Sequence, residues 1–306
     1  MKKVLVIVGP TAVGKTALSL ELAKQYHGEI ISGDSMQIYR QLDIGTAKAT
    51  KEELAAAPHH LIDIRDMTQN YSVAMFQEMA RAKIAEITKR GHLPIVVGGT
   101  GLYIQALLYD FQLGAAEAVD DTVRAYYQAQ AEKLGNEALW QKLQQIDPAA
   151  AEKIHYNNVR KVIRALEVFE TTGQSILSPK EMPEALYDYF MIGLTTDRGL
   201  LYQRINQRVD LMIDLGLIEE AKKVLRYPET QASKGIGYKE FQPYFEGHQS
   251  LEETVEQIKQ NSRRYAKRQL TWFSNRMAPR WVDLVQEPDV QTQIMLEIDQ
   301  WLEEKQ

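Results

Sequence analysis

The strongest constraint on this chain lies within its first 26 residues. Val4 to Val8 is an unbroken apolar run rich in β-branched residues, the pattern of a strand buried on both faces of a parallel sheet. It leads directly into Gly9-Pro10-Thr11-Ala12-Val13-Gly14-Lys15-Thr16, which fits G-x-x-x-x-G-K-[ST] without mismatch. From Lys15 to Tyr26, residues Ala17, Leu18, Leu20, Leu22 and Ala23 then fall at helical spacing. Strand, glycine turn and helix in that order make a phosphate-binding loop. Its backbone N–H groups curl around phosphate oxygens, and the helix N-terminus adds positive potential. Lys15 is placed to reach a terminal phosphate, and the Thr16 hydroxyl to hold Mg²⁺. Residues 9–16 are therefore expected to bind a ligand with at least two linked phosphates.

Beyond the loop, strands are expected at Glu29 to Ser32, Leu93 to Val97, Tyr189 to Leu194 and Trp281 to Val285, with a polar helix between Met67 and Gly91. Alternating strands and helices indicate an α/β fold: a P-loop NTPase-like core with a parallel sheet flanked by helices. From Asp120 to Gly173 no good strand occurs, and helical segments are expected at Thr122 to Leu134, Glu137 to Ile146 and Val159 to Thr172. The simplest organisation is a first core segment over 1–113, an all-helical insertion over 114–185, and 186–306 completing the core with basic C-terminal helices.

The loop does not name the reaction. Most such folds hydrolyse or transfer a γ-phosphoryl group and place an acid after a neighbouring strand to hold Mg²⁺. Here Leu93 to Val97 runs into Gly98-Gly99-Thr100-Gly101 with no Asp, and a guanine-specifying Asn-Lys-x-Asp is absent from the chain. Ile30-Ile31-Ser32-Gly33-Asp34-Ser35-Met36-Gln37 does put an acid just past a strand end, on the edge of the sheet where ligands bind. Asp34 reads as a helix cap, a Mg²⁺ ligand or a general base. Thr100 belongs to the same edge and reads equally as an ordinary helix cap. The chain has no cysteine, which excludes disulfides, Cys-based zinc or Fe–S sites and a thiol nucleophile, and fits a cytoplasmic protein. The apolar run at the N-terminus ends after five residues, and no stretch approaches the ~20 apolar residues of a membrane span, so no membrane partner is expected.

Several further segments join the loop and the Asp34 turn: Asp43-Ile44-Gly45-Thr46-Ala47-Lys48, Pro58-His59-His60-Leu61-Ile62-Asp63, Val97-Gly98-Gly99-Thr100-Gly101-Leu102-Tyr103, Arg164-Ala165-Leu166-Glu167-Val168, Gly235-Ile236-Gly237-Tyr238-Lys239-Glu240 and Lys267-Arg268-Gln269-Leu270-Thr271-Trp272. Taken together and in order, they resemble the bacterial tRNA dimethylallyltransferases, the tRNA delta(2)-isopentenylpyrophosphate transferase family, over essentially the whole chain. The resemblance implies a Mg²⁺-dependent prenyltransferase. It would move a dimethylallyl group from dimethylallyl diphosphate to N6 of adenosine-37, next to the anticodon in tRNA, forming N6-isopentenyladenosine and releasing diphosphate. It further implies Asp34 as the base for the N6 proton and Thr100 as a positioning group for amine or diphosphate. Lys15 and Thr16 would hold diphosphate and Mg²⁺, and Arg208 would contact the diphosphate. Asp34, Ser35, Met36 and Gln37, together with Arg160, Lys161 and Arg164, match tRNA-contact segments, and Arg124 matches a further contact. Some members carry Arg where this chain has Lys161, which keeps the charge but loses planar bidentate geometry. The Cys-containing zinc module of eukaryotic relatives is absent.

A net charge of −5 argues at first against a nucleic-acid partner. Yet Lys259, Arg263, Arg264, Lys267, Arg268, Arg276 and Arg280 fall in one acid-free segment with Tyr265, Trp272 and Phe273 interleaved. Arg263, Arg264, Lys267 and Arg268 are thus expected to follow a phosphate backbone, with His155, Arg160, Lys161 and Arg164 as an opposing set. By themselves, His155 reads as a surface or capping residue, and His59-His60 as structural rather than a metal pair, because neighbours on a strand diverge. The chain is expected to act on the tRNA anticodon stem-loop as a monomer. The competing readings are a small-molecule kinase, a nucleotide-gated switch, and a prenyltransferase for free nucleotide.

Overall fold

In a computed structural model, the structure describes residues 1–110, 121–178 and 183–304. The chain divides into two compact units, one made of residues 1–109 and 185–306 and the other of residues 110–184. The first unit is an α/β fold around six strands: β1 (Lys3–Val8), β2 (Gly28–Ser32), β3 (His59–His60), β4 (Leu93–Gly98), β5 (Asp188–Leu194) and β6 (Arg280–Val282). Their order is β3-β2-β4-β1-β5-β6, and every neighbouring pair is parallel. β1 is central, with Val6 opposite Val96 on one side and Met191 on the other.

The unbroken apolar character of β1 follows from this placement. Val4, Val6 and Val8 face a core with Phe76, Ala80 and Ile84 of α3 (Val73–Lys89) and Tyr103, Ile104 and Leu107 of α4 (Gly101–Leu108). Leu5 and Ile7 face a second core with Leu18 and Leu22 of α1 (Lys15–Gln25). Each such side chain, fully buried, contributes roughly 1.5–3 kcal/mol. The same unit holds α2 (Lys51–Ala56), α9 (Arg198–Asp214), α10 (Leu217–Val224), the short α11 (Gln242–Phe245), α12 (Leu251–Arg276) and α13 (Val290–Glu303). α12 joins both cores, with Ile258 and Phe273 in one and Ala266 in the other.

The second unit is helical: α5 (Asp121–Leu134), α6 (Asn136–Ile146), α7 (Pro148–Lys153) and α8 (Val159–Thr172). Its own core includes Tyr127, Leu139, Leu143, Ala150, Val162, Ile163 and Leu166. α7 escaped the sequence reading because it is only six residues long, but its start is well specified: Asp147 accepts from the Ala150 N–H at 3.1 Å and Pro148 opens the first turn. β3 was missed for the same reason, and β6 ends at Val282 rather than Val285. The sequence boundary at 113/114 lies outside the described residues. On the first unit's side of the junction, Tyr109 and Ala185 form an antiparallel bridge, and the Leu186 N–H donates to the Leu108 carbonyl at 2.8 Å. Among the described residues no helix is long and apolar enough to cross a membrane.

At the N-terminal end of β2, buried Glu29 gathers three partners. Arg90 donates through Nε at 3.0 Å and Nη2 at 2.7 Å, and His60 Nε2 and His92 Nδ1 each lie 2.7 Å away. The Arg90 bonds above all, with those to the histidines, hold the carboxyl down from the ordinary 4.5 to about 2 against the opposing effect of burial. A depressed acid stabilises the fold fully above pH 4.5, and that contribution is lost as the pH falls through 2. In Glu29→Gln the acid limb of a stability-versus-pH curve between those values is expected to flatten. A limb unchanged in urea titrations would show that the cluster does not contribute to it.

Candidate active site

The C-terminal ends of the strands surround a cavity of about 670 Å³ within the first unit. The loop after β1 forms its floor. Gly9 has φ of 145°, and a side-chain carbon there would sit 2.5 Å from the Leu194 carbonyl oxygen, so only glycine lets the chain leave β1 beside β5. Gly14 starts α1 with no side-chain cap, which leaves the helix N-terminus to the cavity. Lys15 Nζ donates to the carbonyls of Gly9 at 3.0 Å and Pro10 at 2.7 Å. Burial, reinforced by the positive charge of Arg208 and opposed by Asp34, lowers its pKa to about 8. From α9, Arg208 Nη1 donates to Thr11 Oγ1 at 3.3 Å and Arg204 Nε donates to the Ala12 carbonyl at 2.9 Å. Burial and the neighbouring Arg204 push Arg208 below its ordinary value.

Asp34 faces the same cavity. Its Oδ1 accepts from the N–H groups of Met36 at 2.8 Å and Gln37 at 3.3 Å, and among the described residues no hydrogen bond reaches Oδ2. Burial raises its pKa, against the two backbone bonds and the charge of Lys15. Asp34 thus caps its own turn and also presents a free, proton-seeking oxygen.

That turn is braced from outside. Gln37 Oε1 accepts from Ser32 Oγ at 3.1 Å, and its Nε2 donates to the carbonyls of Thr46 at 3.2 Å and Ala47 at 3.3 Å. The 43–47 segment is held in turn by Glu220 of α10. Glu220 accepts the N–H groups of Asp43 and Ile44 at 2.9 Å, of Gly45 at 2.8 Å, and the Tyr238 hydroxyl at 2.8 Å. Lys48 Nζ adds bonds of 2.6 Å to both Asp43 and Asp63. Sequence reasoning missed Glu220, although its signal was available: it sits on the apolar face Leu217, Glu220, Ala221, Val224, where an acid needs partners. Gln269 was missed likewise, on the buried α12 face with Ala266 and Phe273.

Other expected residues disperse. Thr100 precedes α4 but its hydroxyl makes no cap bond; it lies beside Tyr265 and does not line the cavity, whereas Gly98, Gly99 and Tyr265 do. Thr11, Ala12, Gly14, Thr16, Ser35, Met36, Gln37 and Arg268 do line it. The basic segment is less continuous than its sequence suggests, because Lys259 pairs with Asp210 at 2.7 Å and Glu256 at 3.2 Å, and Arg280 with Glu297 at 3.2 Å. Arg263 donates to Asn206 at 2.6 Å. Arg264, Lys267 and Arg268 are exposed and make no ion pair among the described residues, and Arg268 lies over the Tyr265 ring, 5.6 Å from its centre.

In the second unit, Arg124 of α5 and Arg164 of α8 converge on the fully buried carboxylate of Glu167, at 3.1 and 2.9 Å, while Arg160 and Lys161 are exposed. His155 accepts from the Asn157 N–H at 3.2 Å and stacks on Tyr156. His59 Nδ1 lies 2.7 Å from the Ala57 carbonyl, and His60 Nε2 lies 2.7 Å from Glu29. Among the described residues no three His, Cys, Asp or Glu side chains form a metal cage. The oxygen donors on the cavity wall, the Thr16 hydroxyl and the Asp34 carboxylate, suit a hard cation that keeps several waters and takes phosphate oxygens, as Mg²⁺ does.

Comparisons with known proteins point to one family. The sequence model of the family described as IPP transferase matches residues 37–276. A tRNA dimethylallyltransferase of Enterococcus faecalis is 63% identical, the alignment covering all of this chain and 99% of the relative. A solved tRNA isopentenylpyrophosphate transferase from Bacillus halodurans superposes with TM-score 0.76 at 48% identity, over 99% of this chain and 97% of that one. A eukaryotic dimethylallyltransferase solved acting on tRNA gives TM-score 0.81 at 30% identity, over 98% of this chain and 79% of that one.

Proposed function

The chain belongs to the IPP transferase family, and on that premise we propose how its cavity carries out dimethylallyl transfer to tRNA. It is a tRNA prenyltransferase. The donor in this proposal is dimethylallyl diphosphate, and the acceptor is N6 of adenosine-37 beside the anticodon. The observation that carries the reading is that Lys15, Arg208 and Asp34 line one cavity: two cations for a leaving group and one carboxylate for a proton.

The N6 lone pair is delocalised into the adenine ring, so the amine attacks the allylic carbon only weakly. As the N6–C bond forms and the C–O bond to diphosphate breaks, the N6 proton passes to Asp34 Oδ2. The leaving diphosphate takes the electron pair, and its charge is met by Lys15, Arg208 and the N–H groups at the start of α1. The Thr16 hydroxyl would hold Mg²⁺, which would supply further charge neutralisation. The apolar wall of Met36, Val209, Met212, Ile236 and Ile258 keeps water from the cationic allyl group. Thr100, one residue beyond the cavity wall, positions the amine or the diphosphate in this proposal. The target base must unstack to enter, which costs least in a single-stranded loop.

The test is incubation with labelled dimethylallyl diphosphate and Mg²⁺, offering unmodified tRNA, AMP or no acceptor. Label in tRNA alone is expected. Label in AMP would replace this reading by a free-nucleotide prenyltransferase, and phosphate transfer from ATP by a kinase.

Arg124, Arg160, Lys161 and Arg164 serve as phosphate contacts of the tRNA in this proposal, with Arg264, Lys267 and Arg268 as a second set. Glu167 fixes the orientation of Arg124 and Arg164. In Glu167→Gln, tRNA affinity is expected to fall about 3–10-fold, and the slope of log affinity against log salt to shrink by about one. KM for the prenyl donor should not change. A salt slope equal to wild type would refute the role of this pair.

A further inference from the structure

We infer that Gln269 is a positioning residue for the phosphate loop, one that sets its affinity for diphosphate from outside the loop. The inference rests on the reading of residues 9–16 as the diphosphate site. Gln269 sits on α12 with a buried side chain. Its Oε1 accepts from the Thr11 N–H at 3.1 Å, and its Nε2 donates to the Gly99 carbonyl at 3.0 Å. The amide is oriented unambiguously, because a backbone N–H can only donate and a carbonyl can only accept; a flipped amide would set donor against donor. One side chain therefore spans the loop after β1 and the glycine turn after β4.

The surrounding sequence is shaped to admit that strut. A side-chain carbon on Gly99 would collide with Gln269 Nε2, and one on Gly101 would collide with the Trp272 ring one helical turn further along α12. Gly99 and Gly101, with the Gln and Trp of Gln269-Leu270-Thr271-Trp272, thus answer to one contact, the close approach of α12 to the turn, whereas Gly98 makes room for Gly33 of the neighbouring strand end. The strut also edits the loop. Pro10 has no N–H, and that of Thr11 is occupied by Gln269, so the amides left to face an anion begin at Ala12. Ala12 itself adopts φ of 66°, a left-handed conformation that a non-glycine residue holds only when its surroundings enforce it. Gln269 bonds to the residue before it and Arg204 to its carbonyl. Without Gln269, the Thr11 N–H loses its partner and the 11–12 turn loses one of three tethers, keeping Arg204 on the Ala12 carbonyl and Arg208 on the Thr11 hydroxyl.

A core glutamine that merely fills space would give lower stability and unchanged ligand affinity, so the two roles separate experimentally. Binding of inorganic pyrophosphate is measured by calorimetry for wild type, Gln269→Met and Gly99→Ala, together with Tm and steady-state transfer to tRNA. Gly99→Ala displaces the amide by collision without altering α12, and provides a second arm should Gln269→Met fold poorly. Both variants are expected to bind pyrophosphate about tenfold more weakly, with KM for dimethylallyl diphosphate rising in parallel and KM for tRNA within about twofold of wild type. Wild-type pyrophosphate affinity in a folded Gln269→Met or Gly99→Ala overturns the inference, as does a loss shared equally by pyrophosphate and tRNA. In either case, intact wild-type binding and transfer leave the diphosphate site standing. Failure of the wild type itself to bind pyrophosphate overturns both.

Discussion

Asp34→Asn is expected to lower the single-turnover rate of transfer by about 10²–10⁴-fold, the contribution of a positioned general base, while pyrophosphate affinity changes little. Asparagine is the informative replacement. Its side-chain oxygen can still accept from the Met36 and Gln37 N–H groups that Asp34 Oδ1 engages, so the turn survives and only the proton acceptor is lost. Alanine removes both, and should be at least as slow. The pH profile supplies an independent check. Because burial raises the pKa of Asp34, the wild-type rate should begin to fall, on acidification, at higher pH than an ordinary carboxylate would give, and that limb should vanish in the variant. A rate within about tenfold of wild type would be too small a loss for a base in this position.

Lys15→Ala is expected to weaken pyrophosphate binding by about 10–100-fold, the range of a charge-assisted hydrogen bond in a buried site. Lys15 now spends its protons on the Gly9 and Pro10 carbonyls, and an anion in the loop would offer it a stronger partner. The pH dependence has a defined sign. With a pKa of about 8 in the free protein, Lys15 is cationic below that pH and neutral above it, so affinity is full on the acid side and declines as the pH rises through 8. Lys15→Arg should not show this inflection, since a guanidinium stays charged. Calorimetry from pH 6.5 to 9.5, on the order of one unit and more either side of that pKa, decides the point. A wild-type curve that matches Lys15→Arg throughout would exclude Lys15 as the titrating group.

The phosphate loop was legible because local sequence dictates its geometry. The strand before it, the glycines within it and the helix after it lie within 26 consecutive residues, and β1 at the centre of the sheet reads as buried on both faces because it is. Asp34 was legible by its place after a strand. Glu220 and Gln269 were not, although each makes more specific contacts than Thr100. Their backbone partners lie 175–177 positions away for Glu220 and 170 and 258 for Gln269, and only the assembled fold brings them together. Their polarity on otherwise apolar helical faces marked the positions as unusual without naming what they would meet. The basic segment shows the same limit. No acid lies within it in sequence, yet Asp210 of α9 and Glu297 of α13 come from elsewhere in the chain to pair with Lys259 and Arg280.

The bridge between Tyr109 and Ala185 separates the topology of the sheet from the helical unit. The residues that lead away from the sheet and those that return to it are already paired, so the strand order β3-β2-β4-β1-β5-β6 does not depend on what is spliced between them. Replacing the intervening segment by a short turn would re-thread nothing. A single excursion of the chain, leaving after Tyr109 and returning at Ala185, therefore accounts for the helical unit without altering the order of the strands.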